Sequence, residues 1–478
     1  MNSRNSKDPT FKFPTLLDRA KDGSTSRIVG LYQTLLRRNL EHFFPDGLLE
    51  ISEDQEEEFE DSIPMEKLFE VGDDPDGLSI QILWFGTRYL FQSGNPTPFR
   101  PSERRLVEVV VRALDLRFRG LFDPDITNRL ERLHFQTEDV IVADYLNPVD
   151  HERIPIALEA LRAAALSTYE NRRVSLGTLL LGSDVDPADP EKHNSEGAPR
   201  FNARLTAFKG FHRLCDGVNT LFLIDRQGDL IRLIGIERWA NTVHGEDPPD
   251  HPCPRQFLAH AKATKSGGHI CLVLTPSQEI KIFANGTLAF SYSDARWRLL
   301  DIPAKFAAWK EAVSNASSPE LAERLFQAAL NLSEARKGAL FVVLRDPIES
   351  ASKLIAVTDR MYDEVVADDP HDPDNLSPRR TKHALHHAVR GMCLEELEPV
   401  ILETIASLDG AVVVDLNGRL LTFGAILRIA PEALEFDRAI QGARTLAGLA
   451  ASQFGPVLRV SEDGYVTMFL RGRRVWEM

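Results

Sequence analysis

The residues best placed to do chemistry lie near the C-terminus. Asp409-Gly410 opens a short apolar, β-branched run, Ala411 to Val414, which ends at Asp415 and an Asn417-Gly418 turn. A glycine-bearing strand end follows at Gly424 and Ala425, an arginine sits at a helix start (Gly442, Arg444), and a polar pair, Ser461 and Glu462, separates the last strands. A carboxylate can hold a divalent metal or accept a hydroxyl proton. Facing an arginine and a helix N-terminus, both of which hold phosphate, it has what phosphoryl or nucleotidyl transfer requires. The same residues also suit a strand-to-turn Asp-Gly corner and a surface arginine, and on residue types alone both readings stand.

The elements that must position these groups occur twice in one order, and repeats are settled before single motifs. The second copy predicts a helix over 321–332, a strand over 338–344, an acidic, proline-bearing loop at 367–378 and a helix over 394–407. The hairpin 411–424, a helix over 444–451 and strands at 457–460 and 465–470 complete it. The first copy predicts a helix over 156–166, a strand over 175–182, a similar loop at 184–200 and a helix ending at Cys215-Asp216-Gly217. The hairpin 220–235, a helix from Arg255 and strands at 270–274 and 279–283 then follow. In this alignment Asp216-Gly217 corresponds to Asp409-Gly410 and Arg255 to Arg444. The expected fold class is α/β: two mixed-sheet units in tandem behind a small N-terminal α+β region. The expected boundaries are a tail at 1–26, an N-terminal region at 27–150, a first unit at 155–300 and a second at 318–478.

The ordered motifs of the second unit carry a family resemblance. Leu408-Asp409-Gly410-Ala411 resembles the DGA motif of the DisA-type diadenylate cyclase (DAC) domain, and Gly424-Ala425-Ile426-Leu427 its next strand end. Gly442-Ala443-Arg444-Thr445-Leu446 falls where the family has its G-T-R-H-R helix motif. Val460-Ser461-Glu462 is similar to its V-S-E hairpin, and Lys337-Gly338-Ala339 to its opening strand. The resemblance implies condensation of two ATP molecules, or another NTP, into a cyclic dinucleotide across paired domains, with Mg²⁺ or Mn²⁺. It implies metal ligation by Asp409 and Glu462, with Asp409 also activating the attacking hydroxyl and Arg444 holding phosphate. Gly424, Ala425, Leu427, Gly442, Thr445, Ser461 and Glu462 would border the nucleotide. Asp216, Gly217 and Arg255 would form a second site in an eroded copy, through intramolecular pairing that sets Asp216 and Asp409 on facing surfaces, or within a homo-oligomer. The departures are Thr445 and Leu446, which stand where the family has a histidine and a second arginine; leucine cannot replace a guanidinium. Arg428, Arg438 and Arg459 are the candidates to compensate. The alternative is a degenerate DAC-like nucleotide-binding sensor or scaffold.

Bulk properties narrow the partners. The 478 residues carry 56 basic and 71 acidic side chains, a formal charge of −15, which disfavours nucleic acid and anionic membranes. No apolar run approaches the roughly 20 residues a membrane span needs. Four dispersed cysteines, Cys215, Cys253, Cys271 and Cys393, and a polar N-terminus lead to the expectation of a reduced, cytoplasmic protein. The acidic run 53–61 reads as a solvated loop. The predicted hairpin 78–92 and the Pro101-Ser102 helix start resemble the end of a GAF-type sensor domain. His383, His386 and His387, with Cys393 nearby, have metal-ligand spacing but read as a solvated helix face, and His251 and Cys253 as a rigid loop.

Overall fold

A computed structural model describes residues 24–52, 69–73, 77–84, 87–94, 97–120, 134–148, 152–169, 172–189, 197–207, 210–313, 320–356, 359–361, 385–389, 391–428 and 442–478. Residues 1–23 of the tail expected at 1–26, the acidic run 53–61, the loop 367–378, His383 and Arg438 lie outside these residues, and 24–26 are already helical. The chain divides into two compact units, residues 1–159 with 294–297 and residues 160–293 with 298–478.

In the first unit, helix α1 (Ser24–Phe43) precedes strands β1 (Leu48–Ile51), β2 (Phe69–Asp73), β3 (Ser79–Trp84) and β4 (Thr87–Gln92). These form an antiparallel sheet of order β1-β4-β3-β2. Helix α2 (Pro101–Gly120) buries Leu106, Val107, Val110, Val111 and Leu114, the apolar side that its sequence spacing predicts. Trp84 is fully buried and donates its indole N–H to Asp115 on α2. Helix α3 (Thr137–Leu146) follows, and α4 (Arg153–Ala165) runs from this unit into the next.

The second unit is built on two sheets. After the short β5 (Thr168–Tyr169) and β6 (Arg172–Arg173) come β7 (Leu176–Leu180), the one-turn helices α5 (Ala203–Thr206) and α6 (Phe211–Leu214), β8 (Thr220–Ile224) and β9 (Leu230–Gly235). Helices α7 (Ile236–His244) and α8 (Leu258–Ala263) lead to β10 (Ile270–Leu274), β11 (Ile280–Ala284), β12 (Thr287–Ser293) and β13 (Arg296–Leu299). The first sheet contains the order β12-β11-β10-β7-β8-β9, in which β7 and β8 are parallel and the other pairings antiparallel. Helices α9 (Ile302–Val313) and α10 (Leu321–Glu334) precede β14 (Ala339–Leu344), α11 (Pro347–Leu354), α12 (Pro399–Ala406), β15 (Ala411–Asp415) and β16 (Leu420–Ala425). Helix α13 (Ala443–Ala451) and strands β17 (Val457–Val460), β18 (Val466–Leu470) and β19 (Arg473–Glu477) close the chain. The second sheet reads β19-β18-β17-β14-β15-β16, with only β14 and β15 parallel. The two sheets therefore share one topology.

All six residues of β14 are buried, as a central strand covered on both faces requires. Leu340, Val342 and Leu344 pack with α11 and α13, whereas Ala339, Phe341 and Val343 join a core shared with the first sheet. That shared core takes Leu179, Leu221, Leu223 and Cys271 from the first sheet, together with α7, α8, α10 and α12. Helix α10 buries eight of its fourteen residues, which suits a helix packed between two bodies.

Candidate active site

Two aspartates fix the register between the halves. Asp225 Oδ1 accepts from the backbone N–H of Gln227 and Asp229 at 2.9 and 2.8 Å. Asp415 Oδ1 accepts from Asn417 and Arg419, each at 2.9 Å, so the two turns are the same structure. Counting back six residues from each places Asn219-Thr220 opposite Asp409-Gly410. The expected equivalence of Asp216-Gly217 with Asp409-Gly410 is thus displaced by three residues. The sequence match followed the Asp-Gly pair; the strand pairing follows the hairpin.

Asp216 closes its own loop. Its Oδ1 accepts from the N–H groups of Val218, Asn219 and Thr220 at 2.7–2.9 Å, and Oδ2 accepts from the Asn219 amide. Burial pushes its carboxyl up, but these hydrogen bonds outweigh it and hold the group down to about 2. Gly217, with φ +75°, lies against the Leu176 carbonyl, and its own carbonyl accepts from His260 Nε2 at 2.9 Å. Arg255 does not turn toward Asp216. Its guanidinium donates to Glu403 on α12 at 2.7 Å, and its backbone N–H to Asn331 on α10 at 2.8 Å. The residues expected to make a second site are therefore used in a loop closure and in the packing of one half on the other.

That packing is head to tail. By the same register Leu179, Leu223 and Cys271 correspond to Val342, Val413 and Val457, which in the second sheet face α11 and α13. In the first sheet this face carries α7 and α8 and meets α10 of the second half through Lys281 and Glu334, and in the second sheet it carries α11 and α13. The two halves thus stack with equivalent faces of their sheets pointing the same way.

In the second half the sequence candidates converge. Asp409 stands at the mouth of β15, Arg444 is the second residue of α13 and Glu462 lies in the β17–β18 turn. Arg444 Nη2 donates to Asp409 Oδ1 at 3.2 Å and Nη1 to Glu462 Oε1 at 2.9 Å. Asp409 is fully exposed and Glu462 largely so, while Arg444 is partly buried. Three glycines make the approach. A Cβ on Gly338 would sit 2.1 Å from Arg444 Nη1, and one on Gly410, with φ +112°, would sit 2.3 Å from the Gly424 carbonyl carbon. Gly442 starts α13 at φ +104°, where it frees the first N–H groups without a side-chain cap. Sequence reasoning named Gly338 only as part of an opening strand, because its role depends on where Arg444 lies.

The other candidates separate. Ala425 is buried in the strand and Leu427 in the α11 core, so both support the site from behind. Ser461 is buried, and its Oγ accepts from the Tyr465 N–H at 3.0 Å, which closes the hairpin that carries Glu462. Thr445 and Leu446 are half-buried on α13. The position opposite Ser461 in the first half is Thr275, since both donate a backbone N–H four residues ahead; Pro276 then replaces Glu462.

Magnesium and manganese take oxygen ligands, and sites of this kind use one or two carboxylates completed by phosphate oxygens and water. Asp409 and Glu462, drawn together by one guanidinium, fit that donor set. Among the described residues no group of three or more His, Cys, Asp or Glu is placed to hold a metal. His386 is buried, with Nε2 3.0 Å from the Phe423 carbonyl, which corrects the expectation of a solvated face at that histidine, while His387 is exposed as expected. Cys253 is fully buried, and its thiol is pushed up by burial. No helix among the described residues is long and apolar enough to cross a membrane.

No family model and no curated protein matches the chain. Among solved structures it is similar to a hypothetical membrane spanning protein from Bacillus cereus, at 22% identity and TM-score 0.22, over 37% of this chain and 76% of that one. It is also similar to a double mutant of DacA from Staphylococcus aureus, at 18% identity and TM-score 0.20, over 34% of this chain and 89% of that one.

Proposed function

We propose that the second half binds a nucleoside triphosphate at Asp409, Arg444 and Glu462 and acts as a diadenylate-cyclase-type nucleotidyltransferase. The observation that carries this reading is the convergence of one arginine and two carboxylates, drawn from three separate motifs of the resemblance, at one end of the second sheet. In such a site Arg444 neutralises phosphate, and Mg²⁺ or Mn²⁺ supplies charge stabilisation to the transferring group when bound. Asp409, fully exposed at the strand mouth, is free to accept the proton of an attacking 3′-hydroxyl. That hydroxyl displaces pyrophosphate from the α-phosphorus of a second nucleotide, and a second such step closes the ring.

Only one half keeps these groups, so ring closure requires two chains to present their α13 faces to each other. A degenerate nucleotide-binding sensor is the second reading, and the half-buried Leu446 at the expected position of a phosphate-binding arginine favours it. Incubation with ATP and other NTPs plus Mn²⁺ or Mg²⁺, with products resolved by mass and nucleotide binding measured in parallel, separates the two. A cyclic dinucleotide is the expected product. Binding without any product selects the sensor, and absence of binding removes both.

A further inference from the structure

Among the three arginines that sequence reasoning offered in place of the residue at Leu446, the structure separates two. Arg428 lies past the end of β16, exposed, with its backbone N–H bonded to the Leu354 carbonyl at the end of α11. Arg459 is in β17, paired in register with Leu340 of β14 and Thr467 of β18. It shares a strand face with Val457, which packs in the α13 core, so it projects on the side where Arg444 begins α13. Gly338, against which the Arg444 guanidinium lies, stands two residues before Leu340, the strand partner of Arg459, on the same face of β14.

Arg459 is also chemically unfinished. It is half-buried, its Nε is buried without a hydrogen-bond partner, and among the described residues its guanidinium makes no ion pair. Glu477 and Asp463 act on it only through their fields, and burial, with Arg444, lowers its hold on its proton. A guanidinium taken partly out of water beside a second cation is costly unless an anion completes it.

Building on the nucleotide-binding reading above, we infer that Arg459 is a phosphate-binding residue that, with Arg444, forms a two-arginine clamp for the triphosphate. It supplies from a neighbouring strand the charge that Leu446 does not. This division of labour leaves Arg444 to link carboxylates and phosphate at the rim, while Arg459 grips the anion from the sheet side.

The test is titration of the full chain with Mg-ATP, inorganic tripolyphosphate and adenosine, for the unaltered protein and for Arg459→Met, Arg459→Lys and Arg444→Met, with melting temperatures in the absence of ligand. Arg459→Met is expected to weaken Mg-ATP and tripolyphosphate at least tenfold, to leave adenosine unchanged, and to hold or raise the melting temperature because an unpaired charge is removed. Arg459→Lys, which keeps the charge without the fork, is expected to fall between. A residue with a purely structural role would instead lower the melting temperature and leave the phosphate preference alone, which overturns the inference. Unchanged ATP affinity in Arg459→Met alongside a loss in Arg444→Met overturns the clamp but leaves the site. No binding of ATP or tripolyphosphate by the unaltered chain overturns both.

Discussion

Lys281 Nζ lies 2.8 Å from Glu334 Oε2, and this ion pair ties strand β11 of the first sheet to the last turn of α10. Lys281 also reaches Glu279 at 3.1 Å, and Arg336 completes the group on Glu279. The cluster lies beside a small cavity of about 40 Å³, lined also by Arg298, Asp463 and Gly464. It connects to the hairpin of Glu462, because Ser333 donates to the Gly464 carbonyl at 2.5 Å and Arg298 stacks 4.2 Å over the Tyr465 ring.

Removal of one member leaves buried charge behind. Lys281→Met is expected to destabilise the unit by roughly 3–5 kcal/mol at neutral pH. Burial pushes the Glu279 carboxyl up, but Lys281 and Arg336 outweigh it and hold the group below its ordinary value. Its contribution is present above about pH 4.3 and is lost as pH falls through the folded value. Burial pushes Lys281 down, Glu334 and Glu279 overcome this, and its contribution persists below about pH 10.4 and is lost only as pH rises through the folded value. The difference in melting temperature between the variant and the parent should therefore be large and level from pH 7 down to about pH 4.3 and shrink only below it. A difference independent of pH would refute this account.

The two aspartates should respond in opposite ways. Asp216→Ala removes the acceptor of three backbone N–H groups and is expected to cost about 1 kcal/mol after allowance for its exposure, with no effect on ATP binding. Its depressed pKa, about 2, places its contribution above about pH 3.9, and that contribution fades as pH falls toward 2. Asp409→Ala, at a fully exposed side chain, is expected to leave the melting curve unchanged and to lose Mg-ATP binding. Thermal scans and titration on the same samples decide the matter, and equal effects from both substitutions would contradict the register set by Asp225 and Asp415.

Gly410→Ala tests the corner itself. Its φ of +112° is closed to side chains, and the added carbon would meet the Gly424 and Ala425 backbone within 2.3–2.7 Å. A loss of more than about 2 kcal/mol is expected, read as a drop in the urea midpoint. A variant as stable as its parent would mean that the β15–β16 corner yields easily, which its buried flanks, Ala411 and Ala425, argue against.

Much of the fold was legible because it is written in local pattern. The period of two in 79–84, the wholly apolar 339–344 and the Pro101-Ser102 helix start each appear as the expected element. Helices α7 and α11 and the third strand of each C-terminal hairpin, β12 and β19, were not predicted. The convergence of Asp409, Arg444 and Glu462 was legible as a set of motifs, since each sits at the end of a strand or the start of a helix, and those ends lie together in a sheet of this order.

What the sequence determined by itself is therefore most of the elements of the two halves, their order and the chemistry of three side chains, all properties of short segments. Tertiary structure alone decided the three-residue displacement of Asp216, the diversion of Arg255 to Glu403, the head-to-tail stacking of the halves and the turning of Arg459 to the α13 side of its sheet. The physical reason is range. Periodicity and turn chemistry act between residues a few positions apart. Which strand face is covered, and which arginine finds a carboxylate 148 positions away, is settled only when whole sheets exclude water together.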